Sequence, residues 1–431
     1  MKYQDYLLMN NEIKNKIVPE LRFPEFKDAS EWEEKILNKL GKLINGLTYS
    51  PDDVRKNGLL VLRSSNVKNG QIVLDDNVYV RQDIKGANYS QQNDILICVR
   101  NGSKALIGKN AIIPRGMPIC THGAFMTVFR SNISDFVFQL FQTDAYNRQV
   151  AGDLGATINS INGSNFLKYK FCIPTNTIEQ KKIADCLSSL DELITAESQK
   201  LDALKAHKKG LMQQLFPSEG ETVPKLRFEE FRESGEWVEK TLGQIAELTS
   251  SKRVHLSDYV TNGIPFFRGK EISILKNQEL LEDILYISEE QYEEIREKYG
   301  VPEIGDILIT SVGTLANVYC VRNSDKFYFK DGNLIWMKNI SEDSNFLEIL
   351  LDVKRNEILA SAIGSSQKAL TMVALNKLEF KFPKKVEQQK IAHCLSSLNE
   401  LITAQVEKIE SLKKHKKGLM QGLFPNINDI S

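Results

Sequence analysis

The segment KIADCLSSLDELITA, residues 182–196, is written again 208 positions later as KIAHCLSSLNELITA, residues 390–404. Extended outward, residues 178–217 and 386–425 agree at 28 of 40 positions. Such agreement at a fixed offset is the mark of an internal duplication. Ile183, Leu187, Leu190, Ile194, Leu201 and Leu204, continued by Leu211 and Leu215, recur at alternating spacings of four and three or their sum. Ile391, Leu395, Leu398, Ile402, Ile409 and Leu412 repeat that register. The spacing predicts one long helix in each copy, with a narrow apolar stripe at coiled-coil a and d positions. Glu197 or Gln405, and Lys208 or Lys416, interrupt the stripes at matching places. A stripe of this kind needs a partner. The economical one is the other copy, packed antiparallel in a rod of about 55–60 Å at 1.5 Å per residue; a homodimeric coiled coil between chains is the alternative.

A second repeat precedes each helix. VPELRFPEF starts at Val18 and VPKLRFEEF at Val223, followed by EWEEK at Glu31 and EWVEK at Glu236. Between these markers and the helices lie divergent stretches of about 150 residues. Their short β-rich runs include GLLVLRSSNV, QIVLDDNVYV, DILICVR and NAIIP in the first, and IPFFRGKEI, DILITSVGT, VYCVRN, FYFKDG and LIWMKN in the second. An α+β chain is expected: two similar α/β domains separated by an antiparallel coiled coil of two long helices, with a pseudo-two-fold internal repeat. The expected boundaries are 1–177 and 218–385 for the domains, 178–217 for a central helix, and 386–431 for a C-terminal helix and tail.

Composition narrows the function. The 431 residues carry 56 basic and 56 acidic side chains, so the net charge is zero. A uniformly basic nucleic-acid binder is disfavoured, although local basic faces are not. Six cysteines stand apart, without CxxC pairs, which fits reduced and mostly buried thiols. No apolar run approaches the roughly 18 residues of a membrane span, and the opening MKYQDYLLMNNEIKNK lacks the pattern of a secretory signal. A cytoplasmic protein is expected. No NPPY or DPPY, GxGxxG, GxxxxGK[ST] or HExxH sequence occurs, so no catalysis and no metal site are expected in this chain. His207 and His415 stand in a basic helix end without partners at metal-ligand spacing. Trp32 and Trp237 read as core anchors, since equivalence across divergent domains favours structure.

The doubled pattern EQxKIAxCLSSLxELITA and KKGLMQxLFP, preceded by VPxLRFxEF and EW, resembles the specificity subunit of type I restriction-modification enzymes. The resemblance covers nearly the whole chain. It implies a non-catalytic DNA-reading subunit with two target-recognition domains, each reading one half of a split, asymmetric site in double-stranded DNA. It also implies docking of two methyltransferase subunits and of restriction subunits, with S-adenosylmethionine, ATP and Mg on those partners. A stand-alone coiled-coil DNA-binding regulator or scaffold is the competing reading. Candidate DNA contacts are the polar and basic residues of divergent loops, whose side chains suit phosphates or base edges. In the first domain they are Tyr49, Arg63, Ser64, Asn66, Arg100, Asn101, Ser103, Lys104, Thr157 and Asn159. In the second they are Lys252, Arg253, Arg268, Lys270, Ser311, Thr314, Ser366, Gln367 and Lys368. The stretch GSSQKALT at Gly364 is similar to a Gly-Ser-x-Gln segment of that family, whereas the first half has GATINSIN, without the Gln. Arg63 and Arg268 occur in both halves, so a role in the fold or at phosphate is favoured over base reading.

Overall fold

A computed structural model describes residues 18–154, 159–276, 281–365 and 368–425. It divides into two compact units. The first comprises the described residues up to Ser198 together with those from Glu407 onward, and the second comprises Gln199–Val406. The expected helices are present, Thr177–Gln214 and Lys385–Leu423, and each contributes residues to both units.

In the first unit, strand Ile95–Cys98 lies inside an antiparallel sheet ordered Lys42–Asn45, Met126–Arg130, Ile95–Cys98 and Asn110–Ile112. Its four residues ILIC are all buried, as a continuous apolar run covered on both faces requires. A second sheet pairs Cys120–His122 in parallel with Leu59–Leu62, which is followed by Val78–Val80 and Val54–Arg55. The Asn69-Gly70 pair, with φ of 49° and 76°, closes a two-residue hairpin between Val67–Lys68 and Gln71–Ile72. The run QIVLDDNVYV is therefore two short strands, not one.

The second unit repeats the design with different residues. Glu247–Thr249, Leu334–Lys338, Ile307–Thr310 and Val318–Cys320 form the first sheet, and Tyr259–Val260, Leu285–Ile287, Ile264–Phe267 and Tyr328–Phe329 the second. Strand order matches position for position, including the parallel pair. Gly58 and Gly263 occupy the same tight turn. A Cβ at Gly58 would stand 2.0 Å from the Val80 carbonyl oxygen, and one at Gly263 2.2 Å from that of Ile287. Gly58→Ala is expected to destabilise the first unit by about 1–3 kcal/mol, measured by chemical denaturation, because the backbone must shift to admit the methyl.

The duplicated motifs build one joint in each unit. In the first, Arg22 donates from Nε and Nη2 to the Glu179 carboxylate at 2.7 and 2.8 Å, and Trp32 Nε1 adds a third hydrogen bond at 3.3 Å. Leu21 N–H donates to the Gly422 carbonyl at 2.8 Å, and Phe424 meets Trp32 edge-on at 6.3 Å. Lys182 reaches Glu25 and lies over the Phe23 ring. In the second unit Arg227 holds Glu387 at 2.8 and 2.7 Å, Leu226 N–H donates to Gln214 O at 2.9 Å, and Phe216 meets Trp237 edge-on at 6.0 Å. Both tryptophans are buried, as expected of core anchors. The separate repeats LRF, EW, EQxKIA and LFP are thus parts of a single contact.

Within the first unit the two helices meet in antiparallel register. Lys416 Nζ lies 2.6 Å from Asp191 and Lys408 Nζ 2.5 Å from Glu197. The residue pairs move in opposite directions along the two helices, and Glu197 and Lys416, which interrupt the apolar stripes, each meet an opposite charge on the other helix. The stripe has two different surroundings. Ile183 and Leu187 enter the core of the first unit with Trp32, Phe136 and Leu423, and Ile391 and Leu395 enter that of the second with Trp237 and Phe346. Those four positions belong to globular cores rather than to a free-standing seam. Leu190, Ile194, Leu201, Leu204, Leu398, Ile402 and Leu412 are half-buried, while Ile409 is buried. No helix among the described residues is long and apolar enough to cross a membrane.

Candidate nucleic-acid interface

In the first unit the candidate loops converge at the carboxyl ends of strands Leu59–Leu62 and Ile95–Cys98. The amides of Val99 and Arg100 both donate to the Phe125 carbonyl, at 3.0 and 3.1 Å, which ties the 99–104 loop to the 123–125 turn. Ile161 N–H donates to Val99 O at 2.8 Å and Arg100 bridges Ser160, drawing in the segment ahead of the long helix. Asn101 organises the cluster. Its Nδ2 donates to Ser64 Oγ at 3.2 Å and its Oδ1 accepts Ser103 N–H at 3.0 Å, while Asn159 Nδ2 donates to Gly102 O at 3.1 Å. Ser64, Arg100, Asn101, Ser103 and Asn159 therefore share one surface, with exposed Lys104 on the same loop. Tyr49 lies beside Gly123 and packs partly against Leu47 and Leu59.

The second unit uses the same frame. Ser311 N–H donates to Asn333 O and Leu370 N–H to Ser311 O, both at 2.9 Å. Exposed Thr314 sits on the first of these segments, and Lys368 on a turn closed by the Ile363–Ala369 hydrogen bonds of 2.9 and 2.8 Å. Lys252 holds its ammonium 5.1 Å from the Tyr299 ring centre while its N–H donates to the Tyr328 hydroxyl at 2.7 Å. Arg253 is paired to Asp331 at 2.9 Å with most of its side chain in solvent. Lys270 is exposed in the first turn of helix Gly269–Lys276. Thr157, Ser366 and Gln367 lie outside the described residues.

Two candidates are corrected by burial. Asn66 is fully buried; its Oδ1 accepts Arg63 N–H at 2.9 Å and its Nδ2 donates to Val73 O at 3.0 Å. Ser311 is 3% exposed and its Oγ donates to Gly332 O at 3.1 Å. Both satisfy backbone at strand ends, where an orphaned polar group is costly, and neither presents a free donor or acceptor. Arg63 and Arg268 serve the same strand ends. Arg63 Nη2 is 2.7 Å from Asp76 and Arg268 Nη2 2.5 Å from Glu271, whose carboxylate also accepts Arg268 N–H at 2.7 Å. Burial raises the Glu271 carboxyl, but hydrogen bonds from the Arg268 side chain and from backbone outweigh it and leave the group below its usual range. Glu271 thus does for the second unit what Asn66 does for the first. Residue types in turns suggested exposure, whereas side-chain direction at a strand end is a tertiary property.

Other chemistries find little support in the side chains. Burial pushes the thiols of Cys120 and Cys172 up to about 11 and that of Cys320 up to about 12, so they are protonated and unreactive. Among the described residues no group of three or more His, Cys, Asp or Glu is placed to hold a metal ion. Burial also lowers the His122 imidazole, whose Nε2 and Nδ1 lie within hydrogen-bond reach of Ile44 O and Ser90 Oγ at 2.9 and 3.1 Å. Two loop surfaces, rich in amides, hydroxyls and cations on a common frame, are what the arrangement offers.

Known proteins show the same organisation. The profile of the type I restriction modification DNA specificity domain matches residues 29–206 and again 234–414. The EcoKI specificity subunit of Escherichia coli K12 is 29% identical over 169 residues, which are 37% of this chain and 36% of that protein. The MjaVIII specificity subunit of Methanocaldococcus jannaschii is 25% identical over 57% of this chain and 59% of its own length. The chain thus spans from about a third to somewhat over half of these two relatives. A crystal structure of a type I restriction-modification S subunit from M. genitalium superposes on 95% of this chain and 100% of its own with a TM-score of 0.62 at 17% identity, a likeness of fold.

Proposed function

Because the chain belongs to the type I restriction modification DNA specificity family, whose profile it matches twice, we propose that it reads DNA sequence for a type I restriction-modification enzyme, each unit taking one half of a bipartite site. The observation that carries the assignment is the contrast between frame and surface. Strand order and joint are the same in both units, yet Arg100, Asn101 and Phe125 of the first correspond to Val312, Gly313 and Asn333 of the second. One scaffold with two loop chemistries suits two different half-sites. The long helices, repeated at 28 of 40 positions, suit a docking platform and spacer of coiled-coil type; the Asp191–Lys416 and Glu197–Lys408 pairs support that reading. Two methyltransferase subunits, and with them restriction subunits, are the proposed partners. S-adenosylmethionine, ATP and Mg would act there.

The test is reconstitution. Mixed with the modification subunits of its own genome, the chain is expected to elute as one complex with two such subunits, and to bind the methylated motif of that genome specifically. Affinity should fall steeply with salt, since phosphate contacts dominate. A chain that elutes alone, or binds all duplexes equally, would favour the scaffold or stand-alone regulator instead.

A further inference from the structure

Among the described aromatic side chains Phe125 is the most exposed, at 58%. Its backbone is nonetheless fixed. Gly123 N–H donates to Leu62 O at 3.0 Å, Met126 N–H to Gly123 O at 2.8 Å, and the Phe125 carbonyl accepts the two amides of the 99–104 loop. A rigid turn therefore projects a bare ring into solvent. Over that ring, 5.8 Å from its centre, stands the Arg100 guanidinium. Arg63, at the neighbouring strand end, is neutralised by Asp76, but Arg100 has no acidic partner among the described residues. The hydrogen-bonding cluster of Asn101, Ser103 and Asn159 flanks it.

The fold does not need this pair. Asn333 occupies the place of Phe125, since its carbonyl accepts Ser311 N–H as that of Phe125 accepts Val99 N–H, and Val312 occupies the place of Arg100. The same frame stands there without ring or cation. We propose that Phe125 and Arg100 act as one reading unit for a thymine next to a guanine in the major groove of the first unit's half-site. The chemistry follows from the two groups. The guanidinium can donate bidentately to guanine O6 and N7, and the ring offers an apolar face to the thymine 5-methyl group. Their cation–π contact holds the two at a fixed offset, so adjacent bases are read together. This inference rests on the DNA-reading function proposed above.

The test uses the complex with its modification subunits and a duplex carrying the methylated motif. Each thymine of the motif is replaced in turn by uracil, which lacks only the methyl, and each guanine by 7-deazaguanine, which lacks only N7. One uracil is expected to weaken wild-type binding about fivefold and leave Phe125→Ala and Phe125→Asn unaffected. One adjacent 7-deazaguanine should weaken the wild type about 10-fold or more and leave Arg100→Ala unaffected. None of the three variants should change the thermal midpoint, because the ring and the guanidinium are both outside the core. A motif without a thymine–guanine neighbour pair, wild-type binding indifferent to every uracil, or variants as sensitive as the wild type would each overturn the proposal. Loss of all sequence preference in the wild type would instead sink the DNA-reading assignment itself.

Discussion

Exchange of residues 33–175 for the matching block of a relative changes one half of the methylated DNA motif and leaves the other half as it was. The block begins after Trp32 and stops before Glu179, so the first joint is retained with its Arg22–Glu179 and Trp32–Phe424 contacts. The second unit owns its sheets, its joint and its loops, and contributes none of the exchanged residues. The expected effect is qualitative: a new half-motif in place of the old one, a difference of several orders of magnitude in preference when mismatches costing about 1–3 kcal/mol each accumulate. Methylome sequencing of cells carrying the parent and the exchanged chain is the measurement. Change in both halves would show that the two units do not read independently.

Loss of one carboxylate should weaken the first unit severely. Glu179 is 1% exposed as a side chain and Arg22 6%, and the three hydrogen bonds to Glu179 make it the centre of the joint. Glu179→Ala leaves the guanidinium buried without its counter-charge, which costs about 3–5 kcal/mol. For a unit of this size that corresponds to a fall of about 6–20 °C in thermal midpoint. Arg22→Met with Glu179→Leu should recover much of the loss, since an apolar pair removes the uncompensated charge. Calorimetry on the three variants decides it. A single variant as stable as the parent would mean that the joint is held by its apolar contacts alone.

Much of this architecture was legible in the chain. The helices declared themselves by heptad spacing and duplication, and ILIC, LLVL and ILIT by continuous apolar runs flanked by turns. Strands Met126–Arg130 and Cys120–His122 passed unread because MTVFR and CTH mix polar and apolar residues without clear alternation. Phe125 was missed for the same reason. An isolated phenylalanine beside an unread strand looks like core, and only the turn geometry shows that it faces outward. Asn66 and Ser311 erred in the other direction, polar residues in turns that tertiary structure folds inward. The pairing of LRF with EQxKIA and LFP was visible only as three separate repeats. Contact between segments so far apart in sequence depends on how the sheets and helices pack, which no local pattern encodes.

The joint also sets a clock. Leu419, Met420, Leu423 and Phe424 complete the core around Trp32, yet they are among the last of the described residues to be synthesised. Domains ordinarily fold in order as they leave the ribosome, at about 5–20 residues per second, so more than two hundred residues beyond Ser198 correspond to roughly 10–45 s of waiting. During that interval Trp32, Ile183 and Leu187 lack their final cover, and the second unit, whose helix end at Leu215 and Phe216 is made before Trp237, can close first. The unit that begins the chain is the one that finishes last.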